Sequence, residues 1–219
     1  MSDSTLTREE ISYLLHMLRS PESLRVLVAC EFSGIVQEAF ISQGHNAVTC
    51  DLRPTETEGP HYQGDVQDIL YDGWDLMIAH PPCTYLTNSG VRWLHERPSR
   101  WDHMESAAAF FRTLLDAPIP HIAIENPIPH AYAIERIGAT HNQTIQPWQF
   151  GHPETKRTCL WLKNLPMLRP TNIVSGREAR IIDMAPSATR QAERSRFYPG
   201  IARAMAGQWS RHVLRRKHA

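Results

Sequence analysis

Leu24-Arg25-Val26-Leu27-Val28-Ala29-Cys30-Glu31-Phe32-Ser33-Gly34 begins as a short apolar run rich in β-branched residues and ends in a Ser-Gly turn. The run predicts a buried strand over 24–30. Ile35, Val36, Ala39 and Phe40 follow at helical spacing and predict a helix over 35–43, with Gly44 as its stop. Ala47 to Cys50 reads as the next strand, closing on Asp51, and 53–64 as a polar loop. Trp74 to Ala79 is a further buried strand, cut off by Pro81-Pro82. A helix is expected over 101–116, and His121 to Ile124 forms a strand running into Glu125-Asn126-Pro127. Two strands over 143–149 and 158–163 flank the loop Gly151 to Arg157. Ile201, Met205, Trp209 and Val213 repeat every four residues and predict an amphipathic helix over 200–214. At the other end, a helix over 5–19 carries Ile11, Leu14, Leu15 and Leu18 on one face, capped by Thr5 or Thr7 and ended by Pro21.

Strands alternating with helices predict an α/β fold, a mostly parallel sheet covered on both faces. Ligands of such sheets sit beyond the C-terminal strand ends. Glu31, Asp51, Asp65, His80 to Thr84 and Glu125-Asn126 all collect there, predicting a single active-site edge.

The 219 residues are 42% hydrophobic and fit one domain with its own core. The 23 basic and 23 acidic side chains cancel, which excludes gripping nucleic acid by overall charge but not by a local patch. Residues 1–80 hold 13 acidic against 4 basic side chains, and residues 190–219 hold 8 basic against 1 acidic. That tail reads equally as a solvated helix face or as a phosphate-binding patch. Cys30, Cys50, Cys83 and Cys159 lie far apart without zinc-ligand spacing, so reduced thiols are expected and neither a metal site nor a disulfide framework is. No apolar run is long enough to span a bilayer, and the N-terminus is unlike a targeting peptide. A cytoplasmic protein is expected.

His80-Pro81-Pro82-Cys83-Thr84 is the most informative motif. Two prolines after a strand stiffen the chain and present Cys83, a nucleophile if its thiolate is stabilised. A cysteine there is by itself more commonly an inert core residue. Glu125 alters the balance, because it brings a carboxyl group, a possible proton donor, to the tip of the neighbouring strand. Asp51 reads either as a partner for ribose hydroxyls or as a helix-cap or turn aspartate, and Gly64-Asp65 has the same ambiguity. Trp74, Trp161 and Trp209 are expected in the core. Trp93, Arg100 and Trp101 belong to a segment that closes over the site or covers the sheet, and Tyr85 and Asn88 are candidate pocket residues.

The order of these segments resembles the C5-cytosine DNA methyltransferase family, over about residues 24–163 and 197–215. Pro81-Pro82-Cys83 resembles its nucleophile loop, Glu125-Asn126-Pro127 its Glu-Asn-Val, and Phe32-Ser33-Gly34 its first motif. Phe150-Gly151-His152-Pro153 with Lys156 and Arg157 is similar to its Tyr-Gly-x-Pro basic motif. The resemblance implies a class I, Rossmann-like fold that uses S-adenosylmethionine. It implies Cys83, Glu125, Lys156 and Arg157 as catalytic residues. Phe32, Ser33, Gly34, Asp51, Leu52, Asp65, Val66, His80 and Pro82 would bind the cofactor, and Pro81, Thr84, Asn126 and Pro127 the substrate. The domain would span 1–219, with an N-terminal helix in 1–22, a short insertion at 164–196 and a final helix and basic tail at 197–219.

The implied chemistry is consistent with the residues. Cytosine C5 is a poor nucleophile. Addition of Cys83 to C6, with a proton from Glu125 to N3, makes C5 electron-rich enough to take a methyl group. The chain departs from the family in three places. Glu154-Thr155-Lys156-Arg157-Thr158 replaces Gln-x-Arg-x-Arg, and Tyr198-Pro199-Gly200 replaces an asparagine motif. Only about 39 residues separate Thr158 from Phe197, where the family inserts a target-recognition lobe; in this the chain resembles short phage-encoded methylases. DNA, with Arg190, Arg194, Arg196 and the basic tail on phosphates, is the expected partner. The alternatives are single-stranded nucleic acid, RNA or a free cytosine nucleotide, or an idle fold that needs a protein partner for target recognition. Amino-group methylation draws only on Pro81-Pro82 and ranks last.

Overall fold

The structure is a computed structural model that describes residues 5–17, 20–180, 184–185, 193–194 and 196–218. Leu18 and Arg190, both given roles above, lie outside the described residues, as does most of the second half of the 164–196 insertion.

The strands are β1 (Arg25–Ala29), β2 (Asn46–Asp51), β3 (His61–Gln63), β4 (Leu76–Ala79), β5 (Ile122–Pro127), β6 (Gln143–Ile145) and β7 (Thr158–Lys163). The helices are α1 (Arg8–Met17), α2 (Ile35–Ile41), α3 (Arg92–Glu96), α4 (Arg100–Leu115), α5 (Ala131–Ile137) and α6 (Pro199–Lys217). The strands form one seven-stranded sheet in the order β3-β2-β1-β4-β5-β7-β6. β7 runs antiparallel to both β5 and β6, and the other pairs are parallel. The result is the mostly parallel α/β sheet, covered on both faces, that the sequence predicts.

Alternation along each strand divides the core in two. Leu27, Ala29, Met77, Ile122, Ile124 and Trp161 face one layer with α1, α4 and α5. Val26, Val28, Leu76, Ile78, Ala123 and Leu160 face the other with α2 and α6. Both faces are buried, so the central strands read as continuous apolar runs. Trp74, Trp161 and Trp209 are core residues as expected. Thr7 caps α1 through a reciprocal box with Glu10: Thr7 N–H donates to Glu10 Oε2 at 2.8 Å and Glu10 N–H to Thr7 Oγ1 at 3.2 Å. The residues before it pair with the edge strand β3, where Leu6 N–H donates to His61 O at 2.7 Å.

The structure differs from the sequence reading in several places, and the expected strand over 143–149 stops at Ile145 and gives way to a 3-10 turn over Pro147–Gln149. The supposed loop 53–64 contains β3, and 92–96 and 131–137 hold the short helices α3 and α5. β5 continues to Pro127, so Glu125 and Asn126 are strand residues paired with Leu160 and Cys159 rather than a tip beyond the sheet. A neighbouring antiparallel strand supplies the hydrogen bonds that keep them extended.

The strand order reverses between β1 and β4, and the crevice that such a reversal is expected to leave lies between the 30–34 and 80–84 loops. His80 N–H donates to Ala29 O at 2.9 Å and ties the roots of the two loops together.

Candidate active site

The turn after β1 is held by its own acid. Cys30 has φ 57°, unusual for a side-chain-bearing residue. The buried Glu31 carboxylate accepts from the Ser33 hydroxyl and, at 3.1 Å, from Gly34 N–H. Gly34 takes φ 72°, and a Cβ there would lie 2.0 Å from Thr57 Oγ1, so glycine is required both by conformation and by the overlying chain. The 52–58 segment folds across this turn. Glu56 N–H donates to Phe32 O at 2.9 Å, and the Arg53 guanidinium stands 4.0 Å from the Phe32 ring centre.

Asp51 and Asp65 flank the same turn and act there as turn and cap aspartates. Asp51 Oδ1 accepts from Arg53 N–H, and Asp65 Oδ1 from Gln67 N–H, both at 2.9 Å. Burial, then the charges of Asp51 and Asp65, push the Cys30 thiol up to about 12. Leu52 is 74% exposed, while the Val66 side chain is buried in the core.

His80, just past the end of β4, and Glu125 on β5 each lie one residue beyond the paired Ala79 and Ile124. His80 Nδ1 lies 3.3 Å from Glu125 Oε2, and the two side chains are only 12% and 13% exposed. The His80 ring packs against Phe197 with centroids 4.8 Å apart. Burial would push the Glu125 carboxyl up, but the His80 hydrogen bond and charge, Lys156 and the Thr158 hydroxyl outweigh it and hold it below the usual range. Cys83 is half-buried and opens a turn in which its carbonyl accepts from Leu86 and Thr87 N–H at 3.1 and 3.2 Å. Burial and the Glu125 charge push its thiol up, against Lys156 and Arg194.

Lys156 faces the same centre. Burial pulls its ammonium down, against the charges of Glu125 and Cys83. Its Nζ donates to the carbonyl of Arg194 at 2.8 Å and to that of Arg196 at 3.4 Å. Arg157 is exposed and makes no ion pair among the described residues. Asn126 Nδ2 donates to Pro81 O at 3.4 Å and braces the proline loop. Pro82 and Thr84 are exposed, and Pro127 is half-buried opposite Thr158. Arg100 Nη2 donates to Thr84 O at 2.8 Å, which ties α4 to the loop.

Cys83, Glu125, His80 and Lys156 therefore converge, and Arg157 stands outside them. Glu31, Phe197, Thr158 and Arg194 also shape the site. Of these, Glu31 carried a signal in the sequence as a charged residue at a strand end and Arg194 as a candidate phosphate contact, while Thr158 and Phe197 only marked the bounds of the short insertion. Two buried atoms on this edge, His80 Nε2 and Asn126 Oδ1, have no hydrogen-bond partner among the described residues.

No family model and no curated protein matches the chain. Among solved structures it is similar to a protein described as a DNA modification methyltransferase encoded within a prophage (E. coli), at TM-score 0.46 and 14% identity, over 69% of this chain and 52% of that one. It is also similar to the S. pombe Dnmt2 methyltransferase, at TM-score 0.41 and 17% identity, over 66% and 51%. WbdD overlaps at TM-score 0.38 and 12% identity, over 75% and 42%. The chain spans about half the length of the first two.

Proposed function

We propose that the chain transfers a methyl group from S-adenosylmethionine to C5 of a cytosine in a nucleic-acid strand, through a covalent bond from Cys83 to C6. The observation that carries this reading is the convergence of one thiol, one buried carboxyl group and one cation at the ends of β4, β5 and β7.

The residues fit the cofactor by their chemistry. Asp51 offers a carboxylate to hydroxyl groups, Asp65 an acceptor to an amino group, and Phe32 a ring face to a purine. Arg53 now covers that face, and a purine would take its place. When bound, the cofactor supplies an electrophilic methyl group beside the activated ring. Everything else is the chain's own work. Cys83 attacks C6 as thiolate, with Lys156 favouring its charge. Glu125 delivers a proton to N3 and takes up the charge that the addition creates. Asn126 and Pro81 hold the two loops in register. Loss of the C5 proton then breaks the sulfur–carbon bond and frees Cys83.

A polymeric substrate is favoured by α6. Residues 199–219 contain five basic and no acidic side chains. Arg203, Arg211, Arg215 and Arg216 are exposed and have no carboxylate partner among the described residues. Such a face suits phosphates.

The test is transfer of label from methyl-labelled S-adenosylmethionine to duplex DNA, single-stranded DNA, RNA and cytosine nucleotides in parallel, with Cys83→Ala as control. Label on cytosine C5 that vanishes with the variant supports the reading. Transfer that survives the variant, or none to any substrate despite cofactor binding, overturns it, and the latter favours a partner-dependent subunit.

A further inference from the structure

We infer that His80 is a positioning residue and proton store for Glu125: its Nδ1 holds the carboxylate and returns to it the proton that Glu125 gives to the substrate ring. The inference rests on the reading of Glu125 as the acid of the proposed reaction, and it departs from the sequence-based assignment of His80 to cofactor contact.

The geometry is specific. His80, just past the end of β4, and Glu125 on β5 project to the same sheet face, Nδ1 to Oε2 at 3.3 Å. The Phe197 ring packs on the imidazole, so the ring cannot turn away without disturbing the start of α6. Nε2 is buried without a partner, so Glu125 is the only hydrogen-bond partner of the ring among the described residues. The charged groups that bear on the pair are Cys83 from the loop after β4, and Lys156 with the Thr158 hydroxyl from the β7 side. Arg194 bears on Cys83 and Lys156 in turn. Two of the three Lys156 N–H donors go to the carbonyls of Arg194 and Arg196.

The proton balance closes without a further reactant. Before addition, the His80–Glu125 pair holds one proton and Cys83 is a thiolate, its own proton lost to solvent. As the sulfur–C6 bond forms, the pair's one proton moves from His80 Nδ1 through Glu125 to N3. The pair is left with neutral imidazole and carboxylate. On release, the C5 proton goes to solvent, the sulfur–C6 bond breaks to regenerate the thiolate, and the N3 proton returns through Glu125 to His80.

The test uses His80→Asn, which retains a neutral N–H donor, and His80→Ala, both checked for folding by circular dichroism. In His80→Asn, kcat is expected to fall about 10- to 100-fold while KM for nucleic acid and cofactor changes little. The high-pH limb of the kcat profile should move to lower pH, because Glu125 alone must then keep the proton. Unchanged kcat and an unmoved limb overturn the inference and leave His80 a spacer. Glu125→Gln and Cys83→Ala measured alongside separate the two levels: if neither reduces transfer, the proposed reaction has failed, whatever His80 does. A readout that needs no turnover is the titration of the Glu125 side-chain carboxyl by carbon NMR. It should move to higher pH in His80→Ala, and an unmoved titration rejects the pairing.

Discussion

The Lys156 ammonium donates at 2.8 Å to the carbonyl oxygen of Arg194, 38 residues further along the chain. One side chain thereby closes the segment before α6 onto the edge that carries Cys83 and Glu125. Replacing Lys156 by Met removes both that tie and the cation that favours the two anions. Transfer should fall at least about 10-fold, and iodoacetamide labelling of Cys83 should need higher pH. Initial rates and labelling measured on the same protein check both.

The Cys83 thiol is pushed up by burial and then by Glu125. At pH 7.5 the free enzyme should therefore alkylate slowly at this position, with the rate climbing as pH rises. In Glu125→Gln the opposing anion is gone, so the whole curve should move to lower pH. Mass spectrometry of the labelled peptides reads this directly. Cys30 and Cys50, both pushed up chiefly by burial, should remain slow throughout.

Arg53 lies over Phe32 at 4.0 Å on an exposed loop. Stacking of this kind is worth about 0.5–1 kcal/mol. Arg53→Ala should then tighten S-adenosylmethionine binding about 2- to 5-fold by removing a competitor for the ring face, whereas Phe32→Ala should weaken it. Titration calorimetry distinguishes the two. Weaker binding in Arg53→Ala would make Arg53 part of the cofactor site.

At the opposite end of the sheet, Asp75 accepts from Arg25 Nη2 at 3.1 Å and from Lys217 Nζ at 3.4 Å. Burial pushes its carboxyl up, but the Arg25 hydrogen bonds, the Arg25 charge and Lys217 outweigh it and hold it low. A depressed carboxyl contributes stability that is present above its unfolded value of about 3.9 and is lost as pH falls through the lower folded value. Asp75→Asn should cost about 2 kcal/mol at neutral pH, and the gap to wild type should narrow below about pH 4. Thermal melts from pH 7 to 3 measure it.

Arg211, Arg215 and Arg216 on α6 offer a test of phosphate contact. Changing all three to Ala should lower the slope of log binding constant against log salt by about 2 to 3 for duplex DNA. An unchanged slope, read by fluorescence anisotropy, would return this helix to a solvated face.

Much of the fold was legible because both faces of the sheet are buried, which makes β1, β4 and β5 apolar runs that stand out locally. The four-residue repeat of α6 was legible for a similar reason: Ile201, Met205, Trp209 and Val213 all pack inside. β3 and α5 were not. β3 is a three-residue edge strand whose pairing partner β2 lies ten residues back. α5 is held by a His130 cap, with Ala133 N–H donating to His130 Nδ1 at 3.0 Å, and by packing on α4. The extension of β5 through Glu125 was hidden because it depends on β7, thirty-odd residues downstream.

The sequence by itself determined the alternation of strands and helices, the glycine turn after β1, and the presence of a thiol and a carboxyl group at two strand ends. These are local properties, set by hydrophobic period, backbone permissiveness and order along the chain. Only the tertiary structure decided which polar groups meet. It set His80 beside Glu125 because β4 and β5 pair in parallel register. It brought Lys156 and Phe197 to the same place because β7 reverses and α6 returns along the sheet. It also left Arg157 in solvent and Val66 in the core. Side-chain direction at these positions follows from strand pairing and packing between distant segments, and neighbouring residues carry no trace of it.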